Sequence, residues 1–136
     1  MTEPPPLVCV PPDKVSSLWP VAERFIREGH EAVDEPMPEN MVEWLESGKG
    51  LLWLCLREGT VVAALTTSLV IKPSGLCCRM VSCGGEGFDY WRACERRIVE
   101  YARAEGCVKV TAEGRNGWAR ALPGYKVKRV HIEKVI

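Results

Sequence analysis

Residues 76–105 constrain this chain more than any other stretch. An apolar run, 76–81, leads into Ser82-Cys83-Gly84-Gly85-Glu86-Gly87 and then into a helix-patterned segment. The order reads as strand, glycine turn and helix. Glycine takes positive φ at little cost and leaves backbone N–H groups uncovered, and Asp89 is a natural N-cap for the helix that follows. A helix start of this kind suits an anion, because its first N–H groups are unpaired and the macrodipole favours negative charge. Glu86 and Asp89 bring two carboxylates to the same place, so a plain glycine connection between strand and helix fits the stretch as well.

The chain of 136 residues is the size of one domain, enough to bury roughly 65 to 70% of the surface its unfolded form exposes. Eighteen acidic residues balance eighteen basic ones, which removes the electrostatic case for a nucleic-acid or membrane partner. The balance is uneven along the chain. Residues 1–40 carry eight acids against Lys14, Arg24 and Arg27, and residues 108–136 carry seven bases against Glu113 and Glu133. Such polarity suits a solvated surface, self-association or a charged partner. Seven cysteines (Cys9, Cys55, Cys77, Cys78, Cys83, Cys94 and Cys107) lie scattered in apolar runs without a paired CxxC spacing. They read as buried free thiols in a reducing compartment. His30 and His131 stand near no cysteine pair, so no metal site is expected. The N-terminus lacks signal-peptide character and no apolar run reaches membrane-spanning length.

In chain order, residues 1–6 form a proline-rich, extended arm with few backbone donors, and 7–10 form a short strand. From Asp13, a candidate N-cap, the apolar positions Val15, Leu18, Ala22, Phe25 and Ile26 predict a first helix ended by Gly29. An acidic, proline-bearing loop covers 31–38, and a short helix follows over 39–47. Strands at 51–56 and 61–71, joined at Glu58-Gly59, continue through Pro73-Ser74-Gly75 into 76–81 as an antiparallel three-strand meander. The helix over 89–104 presents Trp91, Cys94, Ile98, Tyr101 and Ala102 on one face. A strand at 108–112, a short helix at 115–122 and a last strand at 126–136 complete one domain, 1–136. The expected class is α/β (α+β): a mixed, mainly antiparallel sheet with helices on both faces.

This order, taken with the glycines, resembles the GNAT superfamily of N-acetyltransferases over almost the whole chain. In that family the strand before the long helix splays from its neighbour, and acetyl-CoA lies in the gap. Its pyrophosphate loop reads Q/R-x-x-G-x-G/A. Here Gly85-Glu86-Gly87 aligns with G-x-G, and Ser82 stands where the Gln or Arg belongs. A second landmark, N-x-x-A-x-x-x-Y followed by a G-F pair, keeps Asn116 and Ala119, with Gly124-Tyr125 as the pair and Pro123 in place of the proton-donating tyrosine. Tyr125, at the G-F position, is expected to pack into the core.

Under a catalytic reading, Glu113 is the candidate general base, with pairing to Arg115 or Arg79 as its structural alternative, and Cys83 is a candidate thiol. Backbone groups of Cys83, Gly84, Gly85 and Gly87 would hold acetyl-CoA. Without that activity no cofactor is expected, and no residue is assigned a catalytic role. The 84–87 glycines, the end of the long helix at 102–107 and the stretch 114–120 with Gly124-Tyr125 resemble small GNAT-like proteins encoded among phage structural genes. That likeness implies a non-catalytic component of a virion or of its assembly or ejection apparatus. Its partners would be other virion proteins or a second copy, and its location the host cytoplasm before assembly and the particle afterwards. Outside the phage setting the expected location is cytoplasmic. Arg115, Trp118 and Arg120 are the interaction surface this reading selects, since Trp and Arg dominate interface energetics.

Overall fold

A computed structural model describes residues 3–113, 118, 121–129 and 132–136. Strand β1 (Leu7–Val10) and a 3-10 turn (Pro12–Lys14) lead into helix α1 (Val15–Glu31) and helix α2 (Met41–Glu46). The meander follows as β2 (Leu51–Arg57), β3 (Thr60–Lys72) and β4 (Gly75–Gly85). A short helix α3 (Phe88–Trp91), a 3-10 turn (Arg92–Cys94), helix α4 (Glu95–Ala104) and strand β5 (Lys109–Ala112) complete the described elements. The sheet runs β1-β2-β3-β4-β5. Its first three pairings are antiparallel, and β4 pairs with β5 in parallel. The mixed, mainly antiparallel sheet expected from the pattern is the one observed.

Each face has its own core. Phe25, Ile26, Met41 and Leu45 of α1 and α2 pack on Val10, Leu52, Leu54 and Ala64. On the opposite face Ile98 and Ala102 of α4 pack on Trp53, Leu65, Cys78 and Met80. The alternation of β2 and β3 sends successive side chains to the two layers. The Trp53 indole N–H donates to Thr67 Oγ1 at 2.9 Å, which satisfies a polar atom in the second layer. No described helix is long and apolar enough to cross a membrane.

Several local expectations are corrected. The glycine stretch is not a turn from residue 82: β4 runs on through Gly85, with Gly84 opposite Ala64 and Gly85 opposite Ala63. Only Gly87 takes positive φ, at 70°, and it caps α3, whereas Asp89 lies inside the first turn. The single helix over 89–104 is three pieces, because a 3-10 turn at Arg92–Cys94 interrupts it. Gly29 does not end the first helix, which continues to Glu31. Its missing side chain instead lets α1 settle on β4, where a Cβ would lie 2.5 Å from the Cys83 carbonyl oxygen. The described residues of 126–136 form no strand. In the N-terminal arm, Pro5 is buried, the Pro6 carbonyl accepts from the Leu56 N–H at 3.0 Å, and Arg97 reaches the Pro4 carbonyl at 3.5 Å.

His30, near the end of α1, is 8% exposed and its Nε2 has no hydrogen-bond partner. Burial lowers its pKa, with Glu35 opposing in part. An unfolded histidine titrates near about 6.5, so as the pH falls through that value the unfolded chain takes up the proton first. The stability is therefore whole above that pH and declines below it, down to the lowered folded value. Urea denaturation at a series of pH values should show this slope in the wild type and a shallower one in His30→Gln.

Candidate functional site

The site begins where β5 stops. Its last pair with β4 is Ala112 with Met80, yet β4 continues to Gly85. Among the described residues, no strand pairs with the outer edge of β4 beyond Met80, which leaves a gap there. A register shift between Thr66 and Thr67 on the other side of β4 marks the same level of the sheet, and such bulges bend a strand and re-aim its side chains. Ser82 points into the protein there, sharing a 2.6 Å hydrogen bond with buried Thr66. It cannot stand in for the Gln or Arg of a pyrophosphate loop, being both short and turned away.

At the end of β4 the Glu86 N–H is taken by the Val62 carbonyl at 2.8 Å. Gly87 follows in the left-handed region with open space around its Cα, and no side chain caps α3. The two acids expected to repel phosphate at this place are not equivalent. Glu86 is bound by Arg24 of α1 at 2.9 Å, both side chains being more than half exposed. Arg24 brings a cation to the loop that sequence reading did not assign to it. Only the docking of α1 on β4 makes them neighbours, since 62 positions separate them in the chain.

Three aromatic rings, two of them from α3, gather beside this end of β4. Phe88 meets Trp91 edge to face at 4.9 Å between ring centroids and stacks on Trp118 at 6.4 Å with planes 15° apart. With Leu65, Met80 and Leu122 behind them, these rings leave a cavity of about 20 Å³, the room of about one water. Trp118 is thus partly buried against this cluster. Of the interaction surface predicted from sequence, Arg115 and Arg120 lie outside the described residues.

The chemical candidates fare differently. Cys83 is partly buried beside Trp91, and burial pushes its thiol far up, with neighbouring Cys55 adding to the effect. It is not the activated nucleophile considered above, because the thiolate is the reactive form. Glu113 pairs with Arg79 at 3.4 Å with its side chain 75% exposed, as its structural alternative anticipated. Tyr125 packs among Trp53, Met80 and Ile98, and burial followed by nearby Glu95 drives its hydroxyl well above the ordinary range. It belongs to the core, as a residue at the G-F position should. Among the described residues, Glu95 is the carboxylate that lines this space, beside Tyr125, and no histidine lines it.

No protein-family model matches the chain, and no curated protein matches it in sequence. Solved structures do match its fold. A soil-metagenome aminoglycoside acetyltransferase, meta-AAC0020, solved with trehalose, superposes with a TM-score of 0.69 at 11% identity, covering 96% of this chain and 95% of its own. A predicted acetyltransferase from Clostridium acetobutylicum, solved with acetyl-CoA, gives 0.66 at 12% identity with 96% and 95% covered. A Trypanosoma brucei acetyltransferase gives 0.63 at 14% identity with 96% and 99% covered. The fold is that of the GNAT acetyltransferases.

Proposed function

We propose that this protein is a GNAT-fold binding protein whose acyl-transfer cleft is closed, and that it works through contacts with other proteins in a phage particle or its assembly. The observation that carries the closed cleft is the Phe88, Trp91 and Trp118 cluster, which leaves a cavity of about 20 Å³ beside Met80 and Cys83 of β4. An extended thioester arm needs many times that room. The missing tyrosine at Pro123, the inward Ser82 and the salt-bridged Glu113 agree with it. The phage setting rests on the sequence likeness of residues 84–87, 102–107 and 114–120 with Gly124-Tyr125 alone.

A second reading, a CoA-dependent N-acyltransferase, is favoured by one specific observation. The loop after β4 offers part of a phosphate site: Gly87 is open, α3 is uncapped and Arg24 offsets Glu86, with Asp89 in the first turn of α3 opposing it. The N–H groups at residues 87 and 88, with Arg24 if it swung from Glu86, would hold the pyrophosphate. When bound, acetyl-CoA supplies the acyl group as a thioester. The chain's own contribution would be to position it, which can lower a barrier by several kcal/mol without an acid or base.

Calorimetric titration of the purified protein with acetyl-CoA and with CoA, at low and moderate salt, separates the two. The expected result is no saturable heat up to millimolar ligand. Micromolar binding that is lost in Arg24→Glu would overturn the closed-cleft reading. Arg24→Glu is the suitable control because exposed ion pairs contribute only about 0 to 1 kcal/mol to stability. Gly85→Glu is not, since any side chain at Gly85 would overlap Ala63.

A further inference from the structure

Two of the seven cysteines are in direct contact. Cys55 lies on β2 at the register shift between Cys55 and Leu56, and Cys94 closes the 3-10 turn that interrupts the helix after the loop. Their sulfurs are 2.9 Å apart, and both residues are buried, at 1% and 2% exposure. That separation is only about 0.9 Å longer than a disulfide bond. Cys94 also borders the small cavity beside Phe88 and Trp118, so the pair lies one side chain from that space.

We infer that Cys55 and Cys94 form a peroxide-oxidisable dithiol, a modification site that closes into a disulfide between β2 and the turn bearing Trp91. The Cys94 S–H donates to Cys55, and this hydrogen bond lowers the Cys55 pKa while raising that of Cys94. Cys55 is therefore the thiol of the pair that yields the thiolate, the reactive form, more readily. Its sulfur attacks one oxygen of hydrogen peroxide, a bond from sulfur to oxygen forms, and the O–O bond breaks. The departing hydroxide combines with the proton already lost from Cys55, giving a sulfenic acid and one water. Cys94 then displaces the sulfenic oxygen, its proton leaving with that oxygen as a second water, and the S–S bond forms. Two electrons pass from the sulfurs to the peroxide. The product pins the segment that fills the cleft to the central sheet, and a dithiol reductant reverses it.

The test is oxidation of the folded full-length protein with hydrogen peroxide, alkylation of the remaining thiols and peptide mapping by mass spectrometry. The expected outcome is one dominant crosslink, Cys55 to Cys94, with loss of two hydrogens, two fewer alkylated thiols and recovery in dithiothreitol. The crosslink should vanish in Cys55→Ser and in Cys94→Ala, each checked for folding by near-ultraviolet circular dichroism. The wild-type map is decisive even if neither variant folds. Full alkylation of all seven thiols, or a dominant crosslink through Cys83, overturns the inference. So does the same mixture of crosslinks in native protein and in protein oxidised in guanidinium.

Discussion

Gly29→Ala should destabilise the protein, by about 2 to 3 kcal/mol. The sign is the informative part. In an exposed helix interior, replacing glycine by alanine stabilises by about 1 kcal/mol through helix propensity, and Gly29 lies inside α1. Here the new methyl would sit 2.5 Å from the Cys83 carbonyl oxygen and 2.8 Å from its amide nitrogen, against backbone that cannot rotate away. Gly84→Ala should be worse still, at about 3 kcal/mol or a little more, because its Cβ would overlap the Phe25 carbonyl oxygen from the other side of the same contact. Urea denaturation should show lower midpoints at unchanged slope for both variants, with Tm reduced by about 10 °C. A Gly29→Ala protein more stable than wild type would mean that α1 does not rest backbone to backbone on β4.

Opening the cleft is the second large effect. Phe88 and Trp118, both partly exposed, line the cavity together with Trp91, which is 7% exposed. The double substitution Phe88→Ala with Trp118→Ala removes two rings and leaves Trp91 in place. It should cost about 3 kcal/mol, less than the full sum for two buried aromatics because both are partly exposed. If ring packing is what closes the cleft, this variant gains measurable affinity for acetyl-CoA, moving from no detectable binding to a Kd of about 1 mM or tighter. Calorimetry on folded variant protein reads the gain directly. A folded double variant that still ignores the ligand would place the obstacle at the loop, in Glu86 and the inward Ser82, and the closing role of the rings would be wrong.

The elements themselves were legible because their patterns are local. Alternation in β2 and β3, the helical spacing of Phe25 and Ile26 in α1, and the apolar face of Ile98 and Ala102 in α4 all follow from periodicity. The element boundaries near the site were less legible. Gly29, Gly84 and Gly85 read as punctuation, since a glycine that ends an element and one that admits a neighbour look identical in sequence. Trp118 carried the opposite ambiguity: a tryptophan between arginines suits an interface, and only its stacking on Phe88 shows that it also packs the cleft. Nothing local marked Arg24 as the partner of Glu86, or Cys55 as the neighbour of Cys94.

What the sequence determined by itself was the order of elements, the two-layered distribution of apolar residues, and the presence of Ser82 and Pro123 where the resemblance expects a Gln or Arg and a tyrosine. Each depends on residues close together in the chain, or on the identity of one residue at one position. The tertiary structure alone decided which backbones touch at Gly29 and Gly84, which charges meet at Arg24 and Glu86, and how far three aromatic rings narrow the gap beside β4. Those depend on distances between elements, and such distances are set by how side chains of definite volume fill the space between a helix and a sheet.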